Sequence, residues 1–343
     1  MTRRWEDLVA RVRGLSGHLL GRSRLTALAE TRDLVQLNGA LEDAFGAASG
    51  FGTGTAPEQI EVAVRRIAAR YLRVIARWAG TRTQLLAPLF LDEDRRSVRA
   101  LVRGAAGNLP PNERLAGLVP TPTLPERALE ELASQMSVSD VVALLVLWGH
   151  PFGTALLAEA RRAQPDLLRI DLVLNSEFAT RAVASVRRAP LGTTARRDLR
   201  IWVEGIIDLE NAFTALQLAG QRTSLDPAQF FIPGGRALEA VAFTAASNAG
   251  SVPAAAVHLG TVLRDSTLAP VFAHLPTRPI EDAALDAELR RTATAARRSP
   301  LGAAPVISFF TRLRAEVHDL RLIIWRVALG AGPAAPDDLV TIT

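Results

Sequence analysis

The sequence contains no cysteine and no lysine, and these two absences exclude several kinds of site. Without cysteine there are no disulfides, no thiolate nucleophile and no cysteine-based metal centre. The 40 positions counted as Lys or Arg are all Arg, so the lysine of a phosphate-binding Walker loop is also missing. The glycine-rich segment at residues 50–54 follows no strand pattern, and we interpret it as a linker.

Long apolar runs and strand patterns are missing as well. The longest apolar run, residues 141–148, is far shorter than the roughly 20 residues that span a bilayer. Charged residues interrupt the N-terminal segment, which therefore lacks the apolar region of a secretory leader. We expect any membrane contact to be peripheral. Because β-branched and aromatic residues do not alternate with polar ones, the sequence predicts an all-α protein.

The charges are mixed rather than clustered. The net charge is +5, but 35 acidic residues are interspersed among the arginines, and no run of five or six like charges occurs. A nucleic-acid-binding arm is therefore not supported. The five histidines lack the spacing of metal ligands, and no GxSxG nucleophile motif occurs. We expect no catalytic residue, no metal and no cofactor.

One stretch near the C-terminus, residues 299–330, has the clearest helical pattern. Large apolar residues recur there at alternating spacings of four and three, which places them on one side of an α-helix. They are Val306, Phe310, Leu313, Val317, Leu320, Ile324 and Val327. Pro305 suits the first turn of a helix, and Gly330 suits its end.

The signature of this helix occurs three times along the chain. An acid is followed three residues later by a small polar residue or a second acid, and then by apolar residues at helical spacing. The three pairs are Asp94 with Ser97, Asp208 with Asn211, and Glu316 with Asp319. A hexapeptide at residues 187–192 also recurs, with one change, at residues 297–302. Separations of about 110 residues indicate internal duplication of a helical unit.

Two segments rich in proline and glycine, residues 107–125 and 230–235, divide the chain into thirds. Each third opens with short helical pieces, continues into a longer helix and closes on the acid-bearing helix. The longer helices are predicted at residues 58–79, 166–188 and 280–298. We therefore predict three helical repeats, at residues 1–118, 119–230 and 231–343.

The recurring acid has two interpretations. A buried carboxylate without a partner costs several kcal/mol, so it should meet an arginine or backbone N–H groups. It could be a catalytic or metal-binding group, or a polar tie between helices. Recurrence in every repeat favours the tie.

The acidic segment at residues 91–95 also has two interpretations. It could be half of a Mg²⁺ site in an all-α enzyme, or the acidic N-terminus of a helix. Asp166 and Asp171, the nearest candidates for a second cluster, lack the spacing that a Mg²⁺ site needs. We interpret the segment as a helix N-terminus.

These motifs resemble the C subunit of V-type and A-type rotary ATPases, whose eukaryotic counterpart is the d subunit. Residues 300–324 carry the most specific match: Glu316-Val317 and Leu320-Arg321 stand where the family has Glu-Val-x-Asn-Leu-Arg. Residues 207–211 match its Asp-x-x-Asn element, and residues 91–104 repeat that element with Ser97 in place of Asn. Asp319 also replaces the Asn. We expect the tie to be weaker in the first and third repeats, because Ser and Asp offer fewer hydrogen bonds.

The resemblance implies a fold and a mechanical role. Such subunits are three helical bundles arranged as a funnel around a pseudo-three-fold axis. They sit on the cytoplasmic face of the membrane, touch it only through the proteolipid rotor ring, and receive the central shaft. They transmit torque for ATP synthesis or ion transport and have no catalytic residue or cofactor of their own. Whether protons or sodium ions move, and in which direction the motor runs, stays open.

Two other functions remain open on the residues alone. A helical-repeat scaffold would bind proteins through an open concave surface and would stack its units linearly. An all-α Mg²⁺-dependent enzyme would bring Asp92 and Asp94 together with a second carboxylate pair in a deep pocket.

Overall fold

A computed structural model describes residues 5–46, 49–51, 56–162, 164–189, 193–221, 226–264, 266, 268–273, 280–332 and 338–341. Within these ranges the regular structure is helical and no strand occurs, so the predicted all-α class is confirmed. None of the helices in the described ranges combines the length and the apolar content of a membrane span.

The helices, in chain order, are α1 Trp5–Ser16, α2 Arg22–Ala29, α3 Leu34–Phe45, α4 Pro57–Ala79, α5 Thr83–Ala106, α6 Pro111–Arg114, α7 Glu126–Ala133, α8 Val138–Leu147, α9 Pro151–Ala160, α10 Leu167–Arg188, α11 Thr194–Gly220, α12 Ala240–Ser247, α13 Val252–Val262, α14 Ala269–Ala273, α15 Ile280–Arg298 and α16 Ala304–Ala328. The chain divides into two compact units, residues 1–174 with 309–343 and residues 175–308.

From Phe309 onward, helix α16 packs in the core of the first unit. All the predicted apolar positions from Val306 to Ile324 are buried, and Val327 is half-buried. Phe310 meets Phe90 of α5 edge-on, with 5.3 Å between ring centroids. Phe309, on a neighbouring stripe, meets Tyr71 of α4 edge-on at 6.2 Å. Because two stripes of α16 are buried, the helix packs against both α4 and α5, where the periodicity predicted only one face.

Helix α11 is the corresponding long element of the second unit. Its N-cap is Thr193, whose side chain accepts a hydrogen bond from the N–H of Arg196. Trp202 of α11 meets Phe178 of α10 edge-on at 6.4 Å between ring centroids. The indole N–H of the same Trp202 donates to Glu288 of α15 at 3.2 Å. One aromatic side chain therefore connects α11 to both α10 and α15.

The longer helices predicted at residues 58–79, 166–188 and 280–298 are confirmed as α4, α10 and α15, with ends within one residue. The interpretation of residues 91–95 is wrong, because this segment lies in the middle of α5 and not at a helix N-terminus. Its acidic side chains are buried, so they need partners of their own. Residues 190–192 of the first hexapeptide, residues 52–54 of the glycine-rich segment and His274 lie outside the described residues.

Candidate functional site

Asp208 binds the chain segment that leads into the next short helix. Its carboxylate is buried in α11 and accepts hydrogen bonds from the backbone N–H groups of Arg236, Ala237 and Leu238, at 2.9–3.1 Å. Helix α12 begins at Ala240, directly after this segment. The carboxylate thus satisfies backbone donors that would otherwise be unpaired.

Asp94 holds the segment before α7 in a similar way, but through side chains. The hydroxyls of Thr121 and Thr123 each donate to its carboxylate at 2.5 Å. His150 Nε2 lies 3.3 Å from the same carboxylate. The other ring nitrogen, Nδ1, accepts the N–H of Phe152 and caps α9, so Nε2 carries the proton and donates to Asp94.

Glu316 binds the segment before α2. Its Oε2 accepts the backbone N–H of Leu20, which lies nearly 300 residues earlier in the chain. Burial raises the pKa of Glu316 to about 8, although the N–H of Leu20 and the charge of Arg312 act in the opposite direction. The negative charge of Asp319 raises the pKa further. Glu316 is therefore a buried acid whose surroundings favour its protonated form.

The three segments held by these acids correspond position by position. Each has a buried leucine two residues before a short helix: Leu20 before α2, Leu124 before α7, and Leu238 before α12. Each short helix is followed by a second helix, and the N-cap of that second helix lies the same number of residues after the leucine in all three cases. These caps are Asp33, Ser137 and Ser251, and each accepts an N–H from the first turn of α3, α8 or α13.

The residue three positions after the acid holds the chain beyond the long helix. Asn211 accepts the N–H of Ile232 at 2.9 Å and donates to its carbonyl at 2.8 Å. Asp319 accepts the N–H groups of Val340 and Thr341, each at 2.8 Å, and the hydroxyl of Thr341. Ile232 and Val340 lie at the same offset from Asn211 and Asp319. Asp319 cannot donate a hydrogen bond as the side-chain amide of Asn211 does. Instead it accepts additional hydrogen bonds from the segment at residues 340–341.

Ser97 and Arg321 behave differently from the other predicted residues. Ser97 is buried in α5. Arg321 is about half-exposed on α16, and its Nε lies 3.4 Å from Glu61 of α4. Glu61 also accepts the indole N–H of Trp325 at 3.0 Å and the N–H of Gly117 at 2.7 Å. Arg321 therefore belongs to a surface contact between α4 and α16, and the structure does not bring it to the carboxylate of Glu316.

Helices α5 and α16 share a buried ionic network that the sequence did not predict. Arg95, Arg96 and Arg314 contact Asp92 at 2.6, 3.1 and 2.9 Å, and Arg314 also binds Glu93. Burial opposes the charge on Asp92, but the three guanidinium groups hold its pKa well below the usual range. The sequence did contain one signal for this network: Arg95 and Arg96 follow Asp92 by three and four residues, and residues at these spacings are neighbours on the surface of a helix.

The acids of residues 91–95 are therefore bound by arginine, threonine and histidine side chains. No group of three or more His, Asp or Glu side chains suited to a metal ion occurs in the part of the chain that the structure describes. The arrangement is structural, since these buried acids join elements that are distant in sequence.

Comparisons with known proteins agree along most of the chain. A family model described as "ATP synthase (C/AC39) subunit" matches residues 8–335. The C subunit of the V-type ATP synthase of Thermus thermophilus is 30% identical over 185 residues, which are 54% of each chain. This chain therefore spans about half the length of that relative. The C subunit of the A-type ATP synthase is 26% identical over 287 residues in Haloferax volcanii, covering 80% of this chain and 79% of that protein. Its counterpart in Halorubrum lacusprofundi is 25% identical over 342 residues, covering 93% and 92%.

Proposed function

Because the chain belongs to the ATP synthase (C/AC39) subunit family, we propose that it is a non-catalytic coupling subunit of a V/A-type rotary ATPase. The observation that carries this proposal is the family match along residues 8–335. The named relatives are the C subunits of V-type and A-type ATP synthases, and they support the same role. The chain would link the central shaft to the proteolipid ring and transmit torque.

The proposed architecture is three helical modules, at residues 1–118, 119–230 and 231–343, arranged as a funnel around a pseudo-three-fold axis. The acid contacts support it. Asp94 of the first module binds the opening segment of the second, and Asp208 of the second binds the opening segment of the third. Glu316 of the third binds the opening segment of the first. This cyclic order of contacts supports the proposed arrangement.

Rigidity is the property that torque transmission demands. A coupling element must not deform when the shaft turns, and packed cores with discrete contacts resist deformation. The buried network around Asp92 and the acid-bound opening segments supply such contacts. Their polar groups are occupied structurally, which supports a role without chemistry of its own. The proposed place is the cytoplasmic face of the membrane, with membrane contact only through the ring.

The test is recovery of the complex from its own cell. The full chain would carry an affinity tag and be isolated from detergent-solubilised membranes, with mass spectrometry of the proteins that accompany it. We expect shaft subunits and the proteolipid in fixed proportion to the chain. A chain recovered without them, or accompanied only by unrelated proteins, would favour a helical-repeat scaffold and reject the rotary role.

A further inference from the structure

A groove of about 600 Å³ lies in the second unit, between α10 and the turn at residues 232–234. On the α10 side, small and medium side chains recur at spacings of three and four, so they lie on one face of the helix. Among them are Ala179, Val183 and Ala184. Ile232 and Pro233 form the opposite wall. The groove is therefore mostly apolar and follows one face of α10.

The wall at residues 232–234 is held in place by the site described above. Asn211 binds both the N–H and the carbonyl of Ile232. Gly234 has a φ of 111°, and a Cβ at this position would lie 3.3 Å from Ile207 Cδ1. A side chain at Gly234 would be strained by this φ, and its Cβ would also press on the end of the Ile207 side chain. A groove with a fixed wall loses little conformational entropy when a ligand binds.

Two exposed arginines lie at one end of the groove. Arg187 and Arg188 are exposed there, and none of the residues lining the groove is acidic. Within the described residues, neither guanidinium has an ion pair or a hydrogen bond. On another face of the same helix, Arg181 is paired with Glu177. The positive charge at the groove is thus available to a partner, in contrast to the charge elsewhere on α10.

We propose that this groove binds a helical segment of a neighbouring subunit that carries acidic side chains at one end. Small side chains at helical spacing allow another helix to approach closely. Two guanidinium groups at the end of the groove suit carboxylates, which arginine binds in a bidentate manner. The inference rests on the proposed function, because the partner is another subunit of the rotary complex.

The experiment places a photo-reactive benzoylphenylalanine at Thr180, which lies on the exposed rim of the groove. The full chain is assembled in membranes, irradiated, and the cross-linked peptide is identified by mass spectrometry. We expect a helical segment of another subunit with at least two acidic residues. A cross-link to a segment without acids, to lipid, or to nothing in an assembled complex would overturn the inference.

A matched pair of variants tests the charge. The double variant R187E/R188E should lower the cross-link yield at least tenfold, and Arg187→Gln with Arg188→Gln should lower it to an intermediate level. The control R181E/R200E makes the same charge change at two exposed arginines that pair with Glu177 and Glu204. It should leave the yield within about twofold, in keeping with the small contribution of exposed ion pairs. Equal losses in both double variants would contradict a specific groove.

Two outcomes separate this inference from the proposed function. If the wild-type chain is absent from the rotary complex, both proposals fail. If the chain assembles but the cross-link is missing or insensitive to R187E/R188E, only the groove proposal fails. Circular dichroism and thermal unfolding of each variant establish that the substitutions leave the fold intact, as expected for exposed residues.

Discussion

Glu316 and Asp92 are both buried carboxylic acids, but their surroundings shift their pKa values in opposite directions. Asp92 meets three guanidinium groups, whose positive charge outweighs the cost of burial and lowers its pKa. Burial dominates at Glu316, where one backbone N–H and Arg312 oppose it only in part, and the pKa rises to about 8. Neither shift could be derived from sequence, because both depend on which side chains burial brings together.

The raised pKa of Glu316 predicts a loss of stability between about pH 4.5 and pH 8. The folded pKa is about 8 and the ordinary value is 4.5. The folded chain therefore holds a proton that the unfolded chain releases over this window. Its contribution is fully present below pH 4.5 and is lost as the pH rises through 8. Glu316→Gln mimics the protonated acid and should be more stable than the wild type at pH 8, by at least about 1 kcal/mol.

The measurement is denaturant unfolding of both proteins at several pH values from 4.5 to 8.5. The difference in the free energy of unfolding should vanish at the acid end and grow steadily toward pH 8. The amide oxygen of the variant can still accept the N–H of Leu20. The difference in the free energy of unfolding therefore contains no contribution from a lost hydrogen bond. A difference that stays constant across the series would show that the acid titrates at its ordinary value.

Gly235 has a steric role next to Asp208. A Cβ at this position would overlap the carboxylate that holds residues 236–238, and Gly235 lies outside the left-handed region, so Ala adds no backbone strain. Gly235→Ala should reduce the free energy of unfolding by about 2 kcal/mol or more, because hydrogen bonds to a buried charge are broken. Denaturant unfolding gives the value.

The matched control is Gly39→Ala. Gly39 lies on the exposed side of α3, and no atom lies near its hypothetical Cβ. Alanine there should be neutral or stabilise the protein by up to about 1 kcal/mol, since alanine has the higher helix propensity. If the two substitutions changed the free energy of unfolding equally, a Cβ at position 235 would not disturb the carboxylate of Asp208, and the steric role of Gly235 would be refuted.

At the scale of whole helices, a buried ionic network joins α5 to α16. Arg314→Ala leaves Asp92 and Glu93 without the cation that reaches them from the other helix. Removal of one partner from a buried network costs about 3–5 kcal/mol. Arg290→Ala, which breaks an exposed pair with Asp286, should cost less than about 1 kcal/mol. Chemical denaturation of both variants checks this, and a small loss at Arg314 would show that the network does not hold the helices together.

Helix α5 shows where sequence patterns fail. Pro88 lies inside it, although proline normally marks a helix start or break, and the acids that follow resemble a first helical turn. The acidic residues alone led to the wrong assignment of a helix N-terminus at residues 91–95. The actual start is Thr83, directly after the 3₁₀ turn Gly80–Arg82. Phe90 packs against α16, and Arg314 of α16 binds Asp92. These contacts stabilise the helical conformation of α5 despite the proline inside it.

The long helices were predictable and their polar contacts were not. The ends of α4, α10 and α15 were predicted to within one residue, and burial of one apolar face is what stabilises such helices. The partners of Asp94 are Thr121, Thr123 and His150, far along the chain and without a shared motif. The recurrence of the acid indicated that a partner exists, but the identity of the partner depends on tertiary packing.

Across the chain as a whole, the three acids of the recurring pattern make comparable contacts. The acids at 94, 208 and 316 each bind a segment that leads into a short helix. Asp94 binds it through hydroxyl groups, Asp208 through several backbone N–H groups, and Glu316 through one backbone N–H. The arrangement is thus similar at the three acids, while the groups that bind them differ. The internal duplication that the sequence indicates stays a prediction.

If the proposed role is correct, ATP turnover can drive ion movement only when this chain is present. Membrane vesicles from cells that lack the chain would be compared with the same vesicles after purified chain is added back, and both ATP hydrolysis and ion uptake would be followed. We expect little or no ATP-driven uptake without the chain and recovery of coupled uptake when it returns. Equal coupled uptake in both preparations would contradict the proposed role.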